Sequence, residues 1–134
     1  MNDWNKQVIE EFRANGGKVA QFGDAPLVIL HTIGAKSGQL REIPLVTGQD
    51  DDGFHIFASK AGAPTNPDWY HNLKATPEIT VEQGSESYQA RLDELDAETA
   101  ARKLEAMAAV MPQFGEYVEQ AKPRVIPAFS ITRL

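Results

Sequence analysis

The sequence predicts an α+β fold, a barrel-like sheet of mainly antiparallel strands with helices plugging its ends. Three observations predict it. Short runs rich in β-branched residues recur between glycine- or proline-rich turns, the pattern of hairpins. Strands do not alternate with long crossover helices, which disfavours a doubly wound parallel sheet. The chain has 134 residues, 42% of them hydrophobic and 24% charged, enough for one packed core and too few for two.

Each element has its own signal. Trp4, Val8 and Phe12 recur at four-residue spacing with Ile9 beside them, so residues 1–17 read as an amphipathic helix. Asn2 or Asp3 would cap it, and Asn15-Gly16-Gly17 would stop it. Its polar face carries Glu10 and Glu11 and is not basic, which favours a core cover over a membrane-surface helix. Leu27 to Ile33 is a buried strand, Gly34 to Gln39 a turn, and Leu40 to Thr47 a second strand that Pro44 assigns to an edge or bulge. Gly48 to Gly53 reads as a turn with the run Asp50-Asp51-Asp52 in solvent, followed by a strand from Phe54 to Ala58. The two hairpins in succession make a meander. After the loop Ser59 to Pro67, Asn66 would cap a short helix with Pro67 at its first position. Glu78 to Gln83 and Ser87 to Leu95 pair about the turn Gly84-Ser85-Glu86. Asp96 caps a helix from about Ala97 to Met111, which Pro112 breaks. An aromatic segment, Phe114-Gly115-Glu116-Tyr117, and a last strand, Val125 to Thr132, complete about six strands and three or four helices.

Composition removes several function classes. The absence of cysteine excludes disulfides, thiolate nucleophiles and Cys-ligated metals, and a reducing cytoplasm becomes the default location. A net charge of −6 argues against a nucleic-acid binder while leaving room for one local cationic pocket. No apolar run reaches the length of a membrane span, and residues 1–6 lack the basic start of a signal peptide. His31, His55 and His71 are too scattered for a metal motif, and His31 and His55 read as satisfied structural groups in strands. No nucleophile elbow occurs, and the acidic run lacks calcium-loop spacing, so no metal is expected.

Three segments could carry chemistry. Gly34-Ala35-Lys36-Ser37-Gly38 with Arg41 joins turn amides, a hydroxyl and two cations in a possible anion nest; a strand follows it, so it is no P-loop. The competing reading is a polar hairpin turn. Ser59-Lys60-Ala61-Gly62-Ala63 leaves the sheet with a hydroxyl, a cation and small residues that let a flat ligand approach the backbone. In Asn66 to Asn72, Trp69 could wall an aromatic ligand and Asn72 bond it, although such rings are usually core.

Taken together, the segments His31 to Leu45, Ala58 to Ala75 and Met111 to Tyr117, with Ile126-Pro127 after them, resemble the deazaflavin-dependent nitroreductase family over residues 20–134. The resemblance implies a split β-barrel of the flavin-reductase type, formed by residues 1–134 as one unit. It implies coenzyme F-420 and hydride transfer from its reduced form to a quinone, an activated enone or a nitroaromatic. It places the coenzyme against Lys36, Ser37, Arg41, Glu42, Ile43, Pro44, Leu45, Ala58, Ser59, Lys60, Trp69, Tyr70, Asn72 and Phe114. Ser59 would lie near the ring, and Tyr117 would donate a proton to the acceptor or orient it. Ala35 stands where members often have Arg, and Val46 and Phe114 where some have Tyr, which points away from nitro-prodrugs as acceptors. The alternatives are an FMN- or haem-binding relative on the same barrel and a non-catalytic coenzyme carrier. The partner is a small molecule, with no nucleic acid and no stable membrane insertion, and the chain would act as a monomer or homodimer.

Overall fold

The computed structural model describes residues 3–23, 25–51 and 53–134. The Asn2 cap, and the side chains of Asp3 and Trp4 on the first helix, lie outside the described residues. Helix α1 (Asp3–Ala14) leads to strands β1 (Leu27–Ile33), β2 (Leu40–Val46), β3 (Gly48–Asp50) and β4 (Gly53–Phe57). Then come α2 (Asp68–Ala75), β5 (Glu78–Gln83), β6 (Glu86–Glu94), α3 (Ala97–Val110), α4 (Gln113–Ala121) and β7 (Ala128–Arg133). Short 3-10 turns occupy Ala20–Phe22 and Lys60–Gly62.

All seven strands join one antiparallel sheet in the order β2-β1-β5-β6-β7-β4-β3. The expected meander is therefore absent. The hairpins β1–β2 and β3–β4 form, but they sit at opposite ends of the sheet. Only Thr47 separates β2, one edge, from β3, the other, so the sheet must curl until its edges meet there. The result is the antiparallel half-barrel with flanking helices that the sequence predicts. Pro44 does sit on an edge strand, where its missing N–H costs no ladder bond.

Three clusters fill the molecule. The concave face holds Val28, Leu30, Ile56, Val81, Leu92 and Phe129, and Trp69 and Leu73 of α2 plug it. Val8, Ile9 and Phe12 of α1 cover Leu27 and Ile29 from outside. Strand β1 is thus buried on both faces, which is why its first four residues are all apolar rather than alternating. Leu104 and Met107 of α3 and Phe114 of α4 pack with Phe57 and Ile126 in the third cluster.

Other boundaries differ from expectation for local reasons. Gly48–Asp50 is a strand, because it pairs with β4 from Gly48↔His55 to Asp50↔Gly53. Asp50 is not a solvated turn residue: its carboxylate engages His55 and Lys103. Asn66 does not cap α2; Pro67 holds that position without a side-chain bond, and the Asn66 amide oxygen accepts from Arg124. Asp96 does cap α3, accepting from the Thr99 amide at 3.0 Å. The aromatic segment after Pro112 is a full helix, α4.

Candidate functional site

The turn between β1 and β2 is built to stay open. Gly34 N–H donates to the Gln39 carbonyl, Gly38 N–H to the Gly34 carbonyl and Gln39 N–H to the Ser37 hydroxyl. A side chain at Gly34 would displace that hydroxyl from its place in the turn. Asn72 of α2 ties the turn to the barrel plug, accepting from Ala35 N–H at 2.9 Å and donating to the Thr32 hydroxyl at 3.4 Å. Thr32 in turn donates to the Arg41 carbonyl at 3.1 Å. The amides of Lys36 and Ser37 have no partner among the described residues.

A cleft of about 460 Å³ lies between this turn and α2, lined by Lys36, Ser37, Arg41, Ile43, Trp69 and Asn72 together with Gly34, Ala35, Asp68 and His71. Lys36 and Arg41 are exposed and, among the described residues, neither is paired with a carboxylate. Two unneutralised cations beside two free amides, in an acidic chain, form an attractive site for an anion.

The other named residues fall elsewhere. Alternation along β2 turns Arg41, Ile43 and Leu45 toward the barrel side and Glu42 toward α1. There Arg13 of α1 binds both Glu42 and Glu82, and His31 Nε2 lies 2.7 Å from Glu82. Arg13 and His31 together hold the Glu82 carboxyl below its usual range, against the opposing effect of burial. His31, Glu42 and Glu82 could in principle ligate a cation, but Arg13 already supplies the counter-charge. Pro44 shares Glu42's face of the strand. Tyr70 is not on the cleft: its ring packs on Phe129, and its hydroxyl donates to Glu94 at 3.1 Å. Burial raises the Tyr70 pKa above its ordinary value, and the Glu94 bond adds to the rise.

Ala58, Ser59 and Lys60 form a second constellation at the end of β4. Lys60 and Ala61 both have positive φ, 47° and 52°, a conformation that costs non-glycine residues free energy and persists only where the surroundings enforce it. Lys60 Nζ reaches the Thr65 hydroxyl at 3.3 Å. Gly62 lets α4 approach: a Cβ there would clash with Gln120 and crowd the Tyr117 backbone. Helix α4 thereby carries Tyr117 to this loop, with the Phe114 and Tyr117 rings 5.4 Å apart and Phe114 edge-on to Phe57 at 5.9 Å.

Sequence reasoning missed Arg124. Its guanidinium donates to the carbonyls of Ala58, Ser59 and Ala63 and to the Asn66 amide oxygen, at 2.6–3.0 Å. One side chain thus fixes the whole loop, and burial lowers its pKa from the ordinary arginine value. No local motif marks it, since its partners, three backbone carbonyls and the Asn66 side chain, lie some sixty positions away.

A family model described as F420H(2)-dependent quinone reductase matches residues 4–132. The F420H(2)-dependent quinone reductase of Mycobacterium tuberculosis is 39% identical over 79 residues, which are 58% of this chain and 53% of that protein. The chain thus spans about half the length of the curated relatives it matches. Among solved structures, an F420-H2 dependent reductase (FDR-A) superposes with TM-score 0.67 at 34% identity, covering 80% of this chain and 93% of that one. A protein described as a domain-swapped dimer gives TM-score 0.68 at 31% identity, over 97% of both chains. The haem storage protein HutZ of Vibrio cholerae, at 14% identity and TM-score 0.60 over 97% of this chain and 90% of its own, shares the fold alone. The resemblance read from the motifs and these comparisons agree: the chain belongs to the F420H(2)-dependent quinone reductase family.

Proposed function

We propose that this protein is a reductase that transfers hydride from reduced coenzyme F-420 to a small electrophilic acceptor, a quinone before an enone or nitroaromatic. The observation that carries the reading is the cleft at Lys36 and Arg41, whose cations have no carboxylate partner among the described residues. Coenzyme F-420 bears a phosphate and a polyglutamate tail, and that cleft suits a polyanion. When bound, the coenzyme supplies the hydride chemistry. Lys36, Arg41, the Ser37 hydroxyl and the two free turn amides hold its anionic groups. Ile43 and Trp69 give the cleft its apolar wall. Asn72 acts through the turn, since both ends of its amide are engaged by the protein. Ser59 and Lys60 meet the ring end, in a loop held in place by Arg124, while the buried Ala58 acts through packing and its carbonyl bond to Arg124. Glu42, Pro44, Leu45 and Tyr70 take part through the backbone or through packing.

Hydride delivery to a quinone leaves negative charge on its oxygen, and the Tyr117 phenol donates to that oxygen, beside Phe114. Tyr117→Phe is expected to lower turnover by about 10²-fold if the site excludes water, with coenzyme binding unchanged. Equal turnover would return Tyr117 to a packing role. No helix among the described residues is long and apolar enough to cross a membrane. We assign the protein to the cytoplasm, as one coenzyme-binding unit, monomeric or homodimeric. The decisive experiment is anaerobic oxidation of reduced F-420 across a panel of quinones, enones and nitroaromatics, beside fluorescence titrations with F-420 and FMN. Tighter binding of FMN, or binding of F-420 without turnover, would overturn the assignment.

A further inference from the structure

The segment that stops α1, Asn15-Gly16-Gly17, takes no part in the proposed hydride transfer and has a chemistry of its own. An asparagine before glycine sets a side-chain amide carbon beside a backbone nitrogen that no neighbouring side chain shields. Three observations show that this nitrogen is available. Asn15 and Gly16 are both exposed, in the turn beyond Ala14, the last residue of α1. Gly16 has a φ of 63°, and nothing lies within 4 Å of where its Cβ would stand, so the space beside it is open. Asn15 N–H donates to the Glu11 carbonyl and Gly17 N–H to the Phe12 carbonyl, but Gly16 N–H, between them, has no partner among the described residues.

The other asparagines lack this combination. Asn66 precedes Pro67, which has no N–H. Asn72 is buried, with both ends of its amide engaged. Asn2 and Asn5 are followed by residues other than glycine.

We propose that Asn15 is a site of spontaneous modification, converted in water to aspartate and isoaspartate. The Gly16 nitrogen attacks the Asn15 side-chain carbonyl carbon. A bond forms between them, the bond from that carbon to Nδ2 breaks, and ammonia leaves with the proton of Gly16 N–H. Water then opens the cyclic imide at one carbonyl or the other. One opening gives aspartate, the other an isoaspartate whose backbone runs through the side chain. Neither step needs an oxidant or a reductant.

The surroundings have no room for the second product. Gly17 packs on the β5–β6 turn so closely that a Cβ on it would lie 2.7 Å from the Gly84 Cα. Isoaspartate lengthens the backbone just before that contact and pulls Gly17 N–H away from the Phe12 carbonyl. Both products also place a carboxylate at the negative end of α1, four positions from Glu11. The conversion therefore loosens α1 from Leu27 and Ile29, which it covers. Neither the site nor its test involves the coenzyme, so this inference and the functional assignment can fail separately.

The test is incubation of the full chain in mildly alkaline buffer, followed by peptide mass spectrometry. The mass gain of amide-to-acid conversion should appear at Asn15 roughly tenfold or more faster than at Asn2, Asn5, Asn66 or Asn72, with isoaspartate recognised by its backbone fragments. Asn15→Gln, whose side chain closes such a ring far more slowly, should stay unmodified. The isoaspartate fraction, isolated by chromatography, should melt about 4 °C below the fresh parent, while Asn15→Asp, which keeps the native backbone, should melt closer to it. Conversion at Asn15 no faster than at the other asparagines would overturn the site. An isoaspartate fraction with the parent's melting point would overturn its effect on α1.

Discussion

The β1–β2 turn and the loop from Ala58 to Asn66 each lie against basic side chains, and the two regions use that charge in opposite ways. In the loop, Arg124 is consumed by the protein: its donors meet three carbonyls and an amide oxygen. In the turn, Lys36 and Arg41 face a cleft with no carboxylate partner among the described residues. The first arrangement stabilises a shape, and the second keeps charge available. Residue type does not separate structural cations from binding ones; the presence or absence of an internal partner does.

That contrast can be broken experimentally, and the largest effect is expected at Arg124. Arg124→Ala leaves three loop carbonyls and Asn66 short of a donor, and should cost about 3 kcal/mol. Thermal denaturation should show a midpoint lowered by about 10 °C. Coenzyme affinity should also fall, because the loop that presents Ser59 loosens. A variant with unchanged midpoint would mean that water replaces the guanidinium.

Lys36→Ala should do the reverse. Stability should stay within about 0.5 kcal/mol, as for other surface changes. Coenzyme binding should weaken by about 1.5–3 kcal/mol, the scale of one charge-assisted hydrogen bond, and the parent protein's affinity should fall with added salt. A dissociation constant unaffected by the change would remove the turn from the binding site.

A third cation lies between these cases. Arg13 is bound by Glu42 and Glu82 but remains 45% exposed, so solvent screens it. The depressed Glu82 pKa means the folded state favours the carboxylate. Its contribution is complete above the ordinary carboxylate pKa and is lost as pH falls through the depressed value. The expected loss is below about 1 kcal/mol. Urea unfolding from neutral to acid pH should show a shallower decline for Arg13→Ala than for the parent. Parallel declines would leave Glu82 without this role.

Much of the frame was legible in the sequence because it is local. The runs Leu27 to Ile33 and Glu78 to Gln83, the edge proline Pro44 and the Asp96 cap each announce themselves within a few residues. The order of strands was not legible. Hairpins imply pairing with the next strand, whereas β4 pairs onward with β7, some seventy positions away. Part of the candidate cleft was readable, since Lys36, Ser37 and Arg41 are close in sequence and Trp69 and Asn72 share one short helix. Alternation along β2 could have set Glu42 apart from Arg41. Arg124, Lys103 and the Asp50–His55 contact had no readable signal, because each depends on which distant segments the curled sheet brings together.

The join at Thr47 has a consequence for how the molecule opens. Its N–H and its hydroxyl both reach the Pro26 carbonyl, at 2.8 and 3.2 Å, and the residue is 1% exposed. Because one peptide segment stitches the two sheet edges, neither edge can peel back without exposing it. Fraying of a strand end elsewhere leaves the Thr47 amide covered, while loss of the closed shape uncovers it. In hydrogen–deuterium exchange this amide should therefore keep pace with the slowest core amides and report the integrity of the whole half-barrel from one position.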